Sequence, residues 1–364
     1  MHLVSVKYRT GSEDRNLSQT LFSVDLKSRL GWCRFIAAAV IYAGFAVYLY
    51  QPYFEGFDKL NLRDLFVVNI FFASMGCYAL SRRWIGAFTS SLFAGAIYGF
   101  GPFVLSLAKF HPTAGTLAAA IPWLFIPAAF GPKFKWQWLR VPLSALSFLM
   151  ILLFFQLSAH FRLFAVPLQS RLRLSDLAGL LAPLVMVDRS LGVVGFYHVP
   201  IAALLTGFLM LIAARRYGVM IILGLGIVLA CCNSIFDISP LIWLTIPMLC
   251  CSILAGEGLH ALAGAGYADR KWLLAISIIM GILSIVTLLL ATKYFSVFAG
   301  LGAKPAKLFV QSAQMYILGT VVVAVVFFVV RAGWRGWWFR LIILCSAMAA
   351  DIFLGAKFIV DSIF

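Results

Sequence analysis

Residues 272–292 read WLLAISIIMGILSIVTLLLAT and contain no ionisable side chain. A helix of about 20 apolar residues crosses a hydrocarbon core of roughly 30 Å, so this stretch predicts a membrane-spanning helix. Similar runs recur along the 364 residues, of which 63% are hydrophobic and 12% charged. Soluble domains are roughly 45–50% apolar and about 25% charged. The sequence therefore predicts an all-α polytopic membrane protein, because a β-barrel would show alternating segments of about ten residues instead.

The apolar runs predict about eleven spans, within a range of roughly 10–12. They are expected at 33–50, 65–81, 85–107, 113–131, 139–160, 193–213, 218–236, 240–262, 272–292, 308–330 and 341–360. The apolar piece 176–187 is too short to cross and is interpreted as re-entrant or interfacial. Residues 1–31 are polar and basic and lack a signal-peptide cleavage pattern. They are interpreted as a cytoplasmic or interfacial segment, with an amphipathic stretch before the first span. Residues 32–364 form a single multi-pass transmembrane domain in this interpretation.

The distribution of cations predicts the orientation of the spans. With the N-terminus in the cytoplasm, 18 of the 29 Lys and Arg residues fall on the inner side and 11 on the outer side. The positive-inside rule favours this arrangement. It places loop 51–64, loop 161–192 and the C-terminus on the outer face. Since the cations lie mostly in short loops between spans, the formal charge of +16 indicates topology, and we expect no nucleic-acid partner.

Loop 51–64, QPYFEGFDKLNLRD, is rich in carboxylates in a chain with only 13 acidic residues. Glu55, Asp58 and Asp64 could act as a general base or hold a divalent cation through hard oxygen ligands. The alternative interpretation is a hydrated turn whose charges only exclude it from the bilayer.

Loop 161–192 carries Arg162, Arg171, Arg173 and Arg189, although the positive-inside rule disfavours cations on the outer side. Arginine forms bidentate pairs with phosphate oxygens. The loop is therefore a candidate site for the phosphate of an anionic lipid such as a polyprenyl phosphate. Its alternatives are a solvated loop and contact with ordinary anionic membrane lipid.

Ionisable residues inside spans are costly, so Glu257, His260 and Asp351 are functional candidates. Glu257 and His260 are three residues apart and share a helix face. They could relay protons, or they could be two polar groups that reach the inner interface. Asp351 is expected to form hydrogen bonds within the helix bundle.

No metal site is predicted from the cysteines or histidines. The seven cysteines show no C-x-x-C spacing and read as small buried apolar residues. His111, His160 and His198 fall on or near the outer side, but their spacing matches no metal or haem motif. No G-x-x-x-x-G-K-[ST] or G-x-S-x-G motif is present.

Several stretches of spans resemble a known family. They are LFVVNIFFASMGCYALSRRWIGAFTSSLFAGAIYGFGPFVLS (65–106), KFHPTAGTLAAAIPWLFIPAAF (109–130), residues 174–216, PLIWLTIPMLCCSILAGEGLHALAG (240–264) and LIILCSAMAADIFL (341–354). Together they resemble the spans of membrane-integrated C-type glycosyltransferases, closest to the bacterial YfhO-like branch. The matching positions are Arg82, Arg83, Gly86, Gly99, Pro102, His111, Pro122 and Trp123. The resemblance covers most of residues 62–364 and rests on apolar patterns.

The resemblance implies a C-type glycosyltransferase-like helical bundle in the bacterial cytoplasmic (inner) membrane. It implies transfer of a sugar from a polyprenyl-phosphate donor on the outer face. The family's catalytic acid lies in the first outer loop, which here offers Asp58, Asp64 or Glu55. Arg171, Arg173 and Arg189 would stabilise the leaving lipid phosphate. The first outer loop is about fourteen residues here, shorter than in the family. A non-catalytic membrane subunit with protein partners, or a transporter or lipid flippase, is the alternative.

Overall fold

The computed structural model describes residues 17–53, 64–110, 112–130, 140–160, 179–188, 195–214, 217–232, 240–298, 304–333 and 336–363. Over these ranges the secondary structure is helical, with no strand. The helices are α1 Leu17–Tyr50, α2 Asp64–Trp84, α3 Phe88–Gly99, α4 Pro102–Phe110, α5 Pro112–Leu124, α6 Ile126–Phe130, α7 Arg140–His160, α8 Pro183–Asp188, α9 His198–Ala213, α10 Tyr217–Cys231, α11 Pro240–Trp243, α12 Thr245–Gly264, α13 Arg270–Phe298, α14 Lys304–Arg331 and α15 Trp337–Ile363.

Seven of the helical segments in the described ranges are long and apolar enough to cross a membrane. They are Gly31–Tyr53, Leu65–Trp84, Phe88–Leu107, Pro240–Gly264, Tyr267–Thr292, Lys307–Arg331 and Trp337–Ser362. Each corresponds to one of the eleven expected spans. The other four expected spans fall on the shorter apolar helical stretches Ala114–Ala128, Pro142–Ser158, His198–Ala213 and Gly218–Cys231. The fold is thus all-helical, with seven long apolar helical segments compatible with a multi-pass membrane protein.

Some expected spans are not single helices. The run 85–107 is divided into α3 and α4 by a bend at residues 100–101. Pro102 begins α4, where its missing N–H leaves no hydrogen bond unmade. At the N-terminus, α1 continues without interruption through residue 31, where the sequence suggested a boundary.

The centre and the periphery of the bundle differ in burial. In the spans Phe88–Leu107 and Pro240–Gly264, 83% of the most apolar window is buried, whereas in Tyr267–Thr292 only 28% is. Helix α12 packs against α9 and α3, and α3 packs against α2. Helix α13 pairs mainly with α14 and exposes large aliphatic side chains on its other side: Leu274, Ile278, Ile282, Ile285 and Leu289. This apolar exposure is what a lipid-facing helix would show.

Glycines allow a close approach between α9 and α12. A Cβ atom on Gly258 would overlap the carbonyl oxygen of Ala203, and one on Gly207 would overlap that of Leu254. Small residues at a crossing let two backbones approach closely, which drives helix association in membranes. The middle of α9 is therefore held against one of the two most buried spans in the described part of the chain.

Candidate functional site: a buried aspartate–histidine pair

Helix α9 begins inside the bundle rather than at its edge. It is 16 residues long, or about 24 Å, which is shorter than the hydrocarbon core of a bilayer. Residues 195–197 precede it without regular structure and are buried. Irregular backbone at membrane depth is tolerated where protein surrounds it. The expected span 193–213 was therefore wrong at its start: the helix begins at His198.

The start of α9 faces Asp351 near the middle of α15. Asp351 is 1% exposed. One of its carboxylate oxygens, Oδ2, accepts the backbone N–H of Val199 at 2.6 Å, and the other, Oδ1, lies 3.2 Å from His198 Nδ1. The first N–H groups of a helix have no partner within the helix, and the helix dipole favours a negative charge there. Asp351 thus hydrogen-bonds both to a backbone N–H in the first turn of α9 and to the imidazole of His198, the first residue of that helix.

Two tyrosines enclose the pair. The ring of Tyr316, on α14, meets the ring of His198 edge-on, with 4.7 Å between centroids. Its hydroxyl donates to the carbonyl oxygen of Leu180 at 2.9 Å. The hydroxyl of Tyr197 donates to the carbonyl oxygen of Phe100 at 2.8 Å. The pair is therefore closed in by α14, by the turn before α8 and by the bend between α3 and α4.

Gly355 makes room for this arrangement one turn beyond Asp351 on α15. A Cβ atom at this position would overlap the ring of Tyr197. The same half of α15 packs on α1, where the rings of Phe353 and Phe45 stack with 5.9 Å between centroids.

The expectation that Asp351 forms hydrogen bonds within the bundle is confirmed. Sequence reasoning missed its partner, because His198 lies 153 residues away and was considered only as a metal ligand. The available signal was weak: a histidine at the start of the apolar run HVPIAALL, two residues before a proline, which the first turn of a helix tolerates. In the described part of the chain, no three His, Cys, Asp or Glu residues are grouped to hold a metal ion.

Glu257 and His260 lie on α12, as expected, near its C-terminal end. The Glu257 side chain is half-buried, and that of His260 is exposed. No hydrogen bond joins them within the described ranges. A relay needs a continuous chain of hydrogen bonds, so this placement favours two separate polar groups at the end of a span.

The remaining predicted site residues lie outside what the structure describes. Asp64 is the first residue of α2, but its side chain is not described, and neither are Glu55, Asp58 or the four arginines of loop 161–192.

The described residues next to these segments share one anchor, the C-terminal half of α15. Tyr53, immediately before residues 54–63, donates its hydroxyl to Asp361 Oδ1 at 2.7 Å. Tyr197, three residues after 189–194, packs against Gly355. Gly355 and Asp361 are six residues apart, or about 9 Å along the helix.

Comparisons with protein-family models, with curated proteins and with solved structures find no match for this chain. The class of protein is therefore defined here by the features of its fold and site. It is an all-helical protein with long apolar helices, in which a short central helix is capped by a buried carboxylate paired with an imidazole.

Proposed function

We propose that the chain is a multi-pass protein of the bacterial inner membrane that transfers a sugar from a polyprenyl-phosphate donor on the outer face. In this proposal all eleven apolar stretches cross, the N-terminus is cytoplasmic and loops 51–64 and 161–192 are outside. The supporting observation is that two described residues near these loops contact the same helix, α15. Tyr53 and Tyr197, which flank the acidic and the arginine-bearing segments, both contact residues 355–361 of α15.

The chain next to these two contacts carries complementary chemistries. The segment that follows Tyr53 carries Glu55 and Asp58, and Asp64 opens the next helix. The segment that precedes Tyr197 carries Arg189. A sugar transfer from a lipid phosphate needs a base on one side of the anomeric carbon and cations on the other.

In the proposed reaction Asp58 is the first candidate for the base, with Asp64 and Glu55 as alternatives. The carboxylate takes the proton of the acceptor hydroxyl, and the hydroxyl oxygen forms a bond to the anomeric carbon. The bond between that carbon and the phosphate oxygen breaks. The leaving polyprenyl phosphate carries the negative charge, which Arg171, Arg173 and Arg189 stabilise through charge-assisted hydrogen bonds.

The test is sugar transfer by the full-length protein in lipid nanodiscs. Donors are radiolabelled polyprenyl-phosphate glucose, mannose and galactose, and the acceptor is a membrane extract of the source cells. The double variant Asp58→Asn, Asp64→Asn is expected to lose about 10²–10⁴-fold in rate, the usual contribution of general acid–base catalysis.

The matched control is Asp269→Asn. Asp269 is exposed and accepts the backbone N–H of Gly266 at 2.9 Å through Oδ2, and an amide oxygen can make the same bond. Its transfer rate is expected to equal that of the parent protein. Unchanged transfer in the double variant would show that these carboxylates do not act as the base.

The alternatives are a non-catalytic membrane subunit and a transporter or lipid flippase. A transporter would place an open polar cavity around Glu257 or Asp351. The closed surroundings of Asp351 do not favour that function. A subunit would show no transfer with any donor and would co-purify with a membrane-protein partner.

A further inference from the structure

One nitrogen of the buried pair has no partner. His198 is 1% exposed. Its Nδ1 faces Asp351, but its Nε2 has no hydrogen-bond partner among the residues that the structure describes. Leaving a buried donor or acceptor unpaired is unfavourable, and buried polar groups in native proteins are nearly always paired.

The neighbouring polar groups already form other hydrogen bonds. Tyr316 and Tyr197 donate their hydroxyl protons to the carbonyl oxygens of Leu180 and Phe100. Asp351 uses both oxygens, on Val199 and on His198 Nδ1. The partner of Nε2 must therefore come from a group other than these.

The bonds of Asp351 define what that partner can be. Oδ2 accepts the backbone N–H of Val199, and one hydrogen bond joins Oδ1 to His198 Nδ1. Nε2 is an acceptor when the ring carries its proton only on Nδ1, and a donor when Nε2 itself carries a proton. A hydroxyl group fits both states, because it can donate a hydrogen bond or accept one.

We propose that His198 Nε2 binds one hydroxyl group in the centre of the bundle, supplied by a buried water or by an alcohol of a bound ligand. Buried waters typically make about three hydrogen bonds to groups that would otherwise be unpaired. The site does not depend on the proposed sugar transfer, since it uses none of the carboxylates or arginines assigned to that reaction.

Solid-state NMR of the full-length protein in nanodiscs of synthetic phospholipid tests this directly. The protein is labelled with ¹⁵N-histidine, and the spectrum of the parent protein is the measurement, so no variant has to fold for the test to succeed. His198→Asn is used only to assign the signal: its amide N–H can still donate to Asp351, while the Nε2 position is lost.

The expected spectrum shows a hydrogen-bonded Nε2. Two samples separate the sources of the hydroxyl. Without added ligand, transfer of magnetisation from water protons to Nε2 identifies a water. With ¹³C-labelled polyprenyl-phosphate glucose added, a correlation from Nε2 to the sugar identifies an alcohol of that probe.

Two results would overturn the proposal. One is an Nε2 resonance typical of an unbonded imidazole nitrogen in both samples. The other is a correlation from Nε2 to a hydroxyl proton of the protein alone. The exposed His260 provides the internal reference for a solvent-accessible ring.

Discussion

At the scale of single residues, Asp351 explains how a carboxylate is held among apolar helices. An isolated charge at this depth would be strongly disfavoured. Here the backbone N–H of Val199 and the Nδ1 of His198 both meet it. These groups come from adjacent residues at the start of one helix, so a single side chain bonds to both and lies at the positive end of the helix dipole.

We expect Asp351→Ala to lower the free energy of unfolding by about 1–3 kcal/mol, because it leaves buried donors without an acceptor. Asp351→Asn is expected to lower the free energy of unfolding by a smaller amount. Its amide oxygen can accept from Val199, and its amide N–H can donate to His198 Nδ1 once the ring proton moves to Nε2. The measurement is denaturant-induced unfolding in detergent micelles.

Asp361→Asn is the control on the same helix. Asp361 is exposed, and an amide oxygen at this position can still accept the hydroxyl proton of Tyr53. Such surface substitutions usually change the free energy of unfolding by no more than about 0.5 kcal/mol. If Asp351→Ala has the same free energy of unfolding as the Asp361→Asn control, the bonds of Asp351 do not stabilise the fold.

The sequence could predict that Asp351 is bonded within the bundle, but not to what. A charged residue in an apolar run requires a partner wherever the helix packs. The partner depends on which helices become neighbours, and α9 and α15 are far apart in the chain. For Glu257 and His260, the spacing in sequence predicted a shared helix face. A shared face does not by itself create a hydrogen bond between the two side chains.

At the scale of elements, the crossing of α9 and α12 fixes the short central helix. Gly207 and Gly258 bring the two backbones together where any side chain would meet a carbonyl oxygen. The α9–α12 contact in turn holds His198 at the level of Asp351. Packing at this crossing therefore supports the geometry of the buried pair.

Gly258→Ala is expected to destabilise the protein by about 1–3 kcal/mol, the usual cost of overpacking. Its Cβ would meet the backbone of Ala203, which cannot move aside as a flexible side chain can. Gly224→Ala, in α10, is the matched substitution, because a Cβ there meets nothing within 4 Å.

The Gly224 variant is expected to be neutral or more stable by up to about 1 kcal/mol, from helix propensity alone. Both variants are compared by thermal unfolding in the same detergent. Equal unfolding temperatures would contradict a close crossing at Gly258.

Hydropathy predicted where apolar segments lie better than where helices begin and end. The run 193–213 is apolar throughout its start, yet residues 195–197 are irregular and buried while the helix begins at His198. Apolarity reports burial, in lipid or in protein, and does not distinguish a helix from irregular backbone enclosed by other helices. The same ambiguity hid the bend between α3 and α4.

At the scale of the whole molecule, the number of apolar stretches that cross the membrane decides which loops share a face. The seven long spans alone would leave residue 137 and residue 170 on the same side. With all eleven spans, they lie on opposite sides. Seven and eleven crossings both put the termini on opposite faces, so internal positions are needed to distinguish them.

We expect Gln137→Cys to be cytoplasmic and Ser170→Cys to be outside, in a background whose native cysteines are replaced by alanine. In right-side-out vesicles a membrane-impermeant maleimide should label Ser170→Cys at once. Gln137→Cys should react only after the membrane is permeabilised. Labelling of both positions in sealed vesicles would contradict eleven spans.

The class of fold followed from composition, because long uncharged runs leave few alternatives to a helical bundle. The function could not be read in the same way. Its proposed residues, such as Asp58 and Arg171, lie in polar loops where spacing in sequence does not determine proximity. Among the described residues, Tyr53 and Tyr197, which lie next to residues 54–63 and 189–194, contact a common helix.

The most direct test of the central claim is the sidedness of sugar transfer. Membrane vesicles containing the parent protein are supplied with radiolabelled polyprenyl-phosphate glucose, mannose or galactose, and the labelled product is treated with membrane-impermeant periodate. The account predicts a protein-dependent product that periodate oxidises in right-side-out vesicles but not in sealed inside-out vesicles. A product accessible only in inside-out vesicles, or no protein-dependent product with any of the donors, would contradict it.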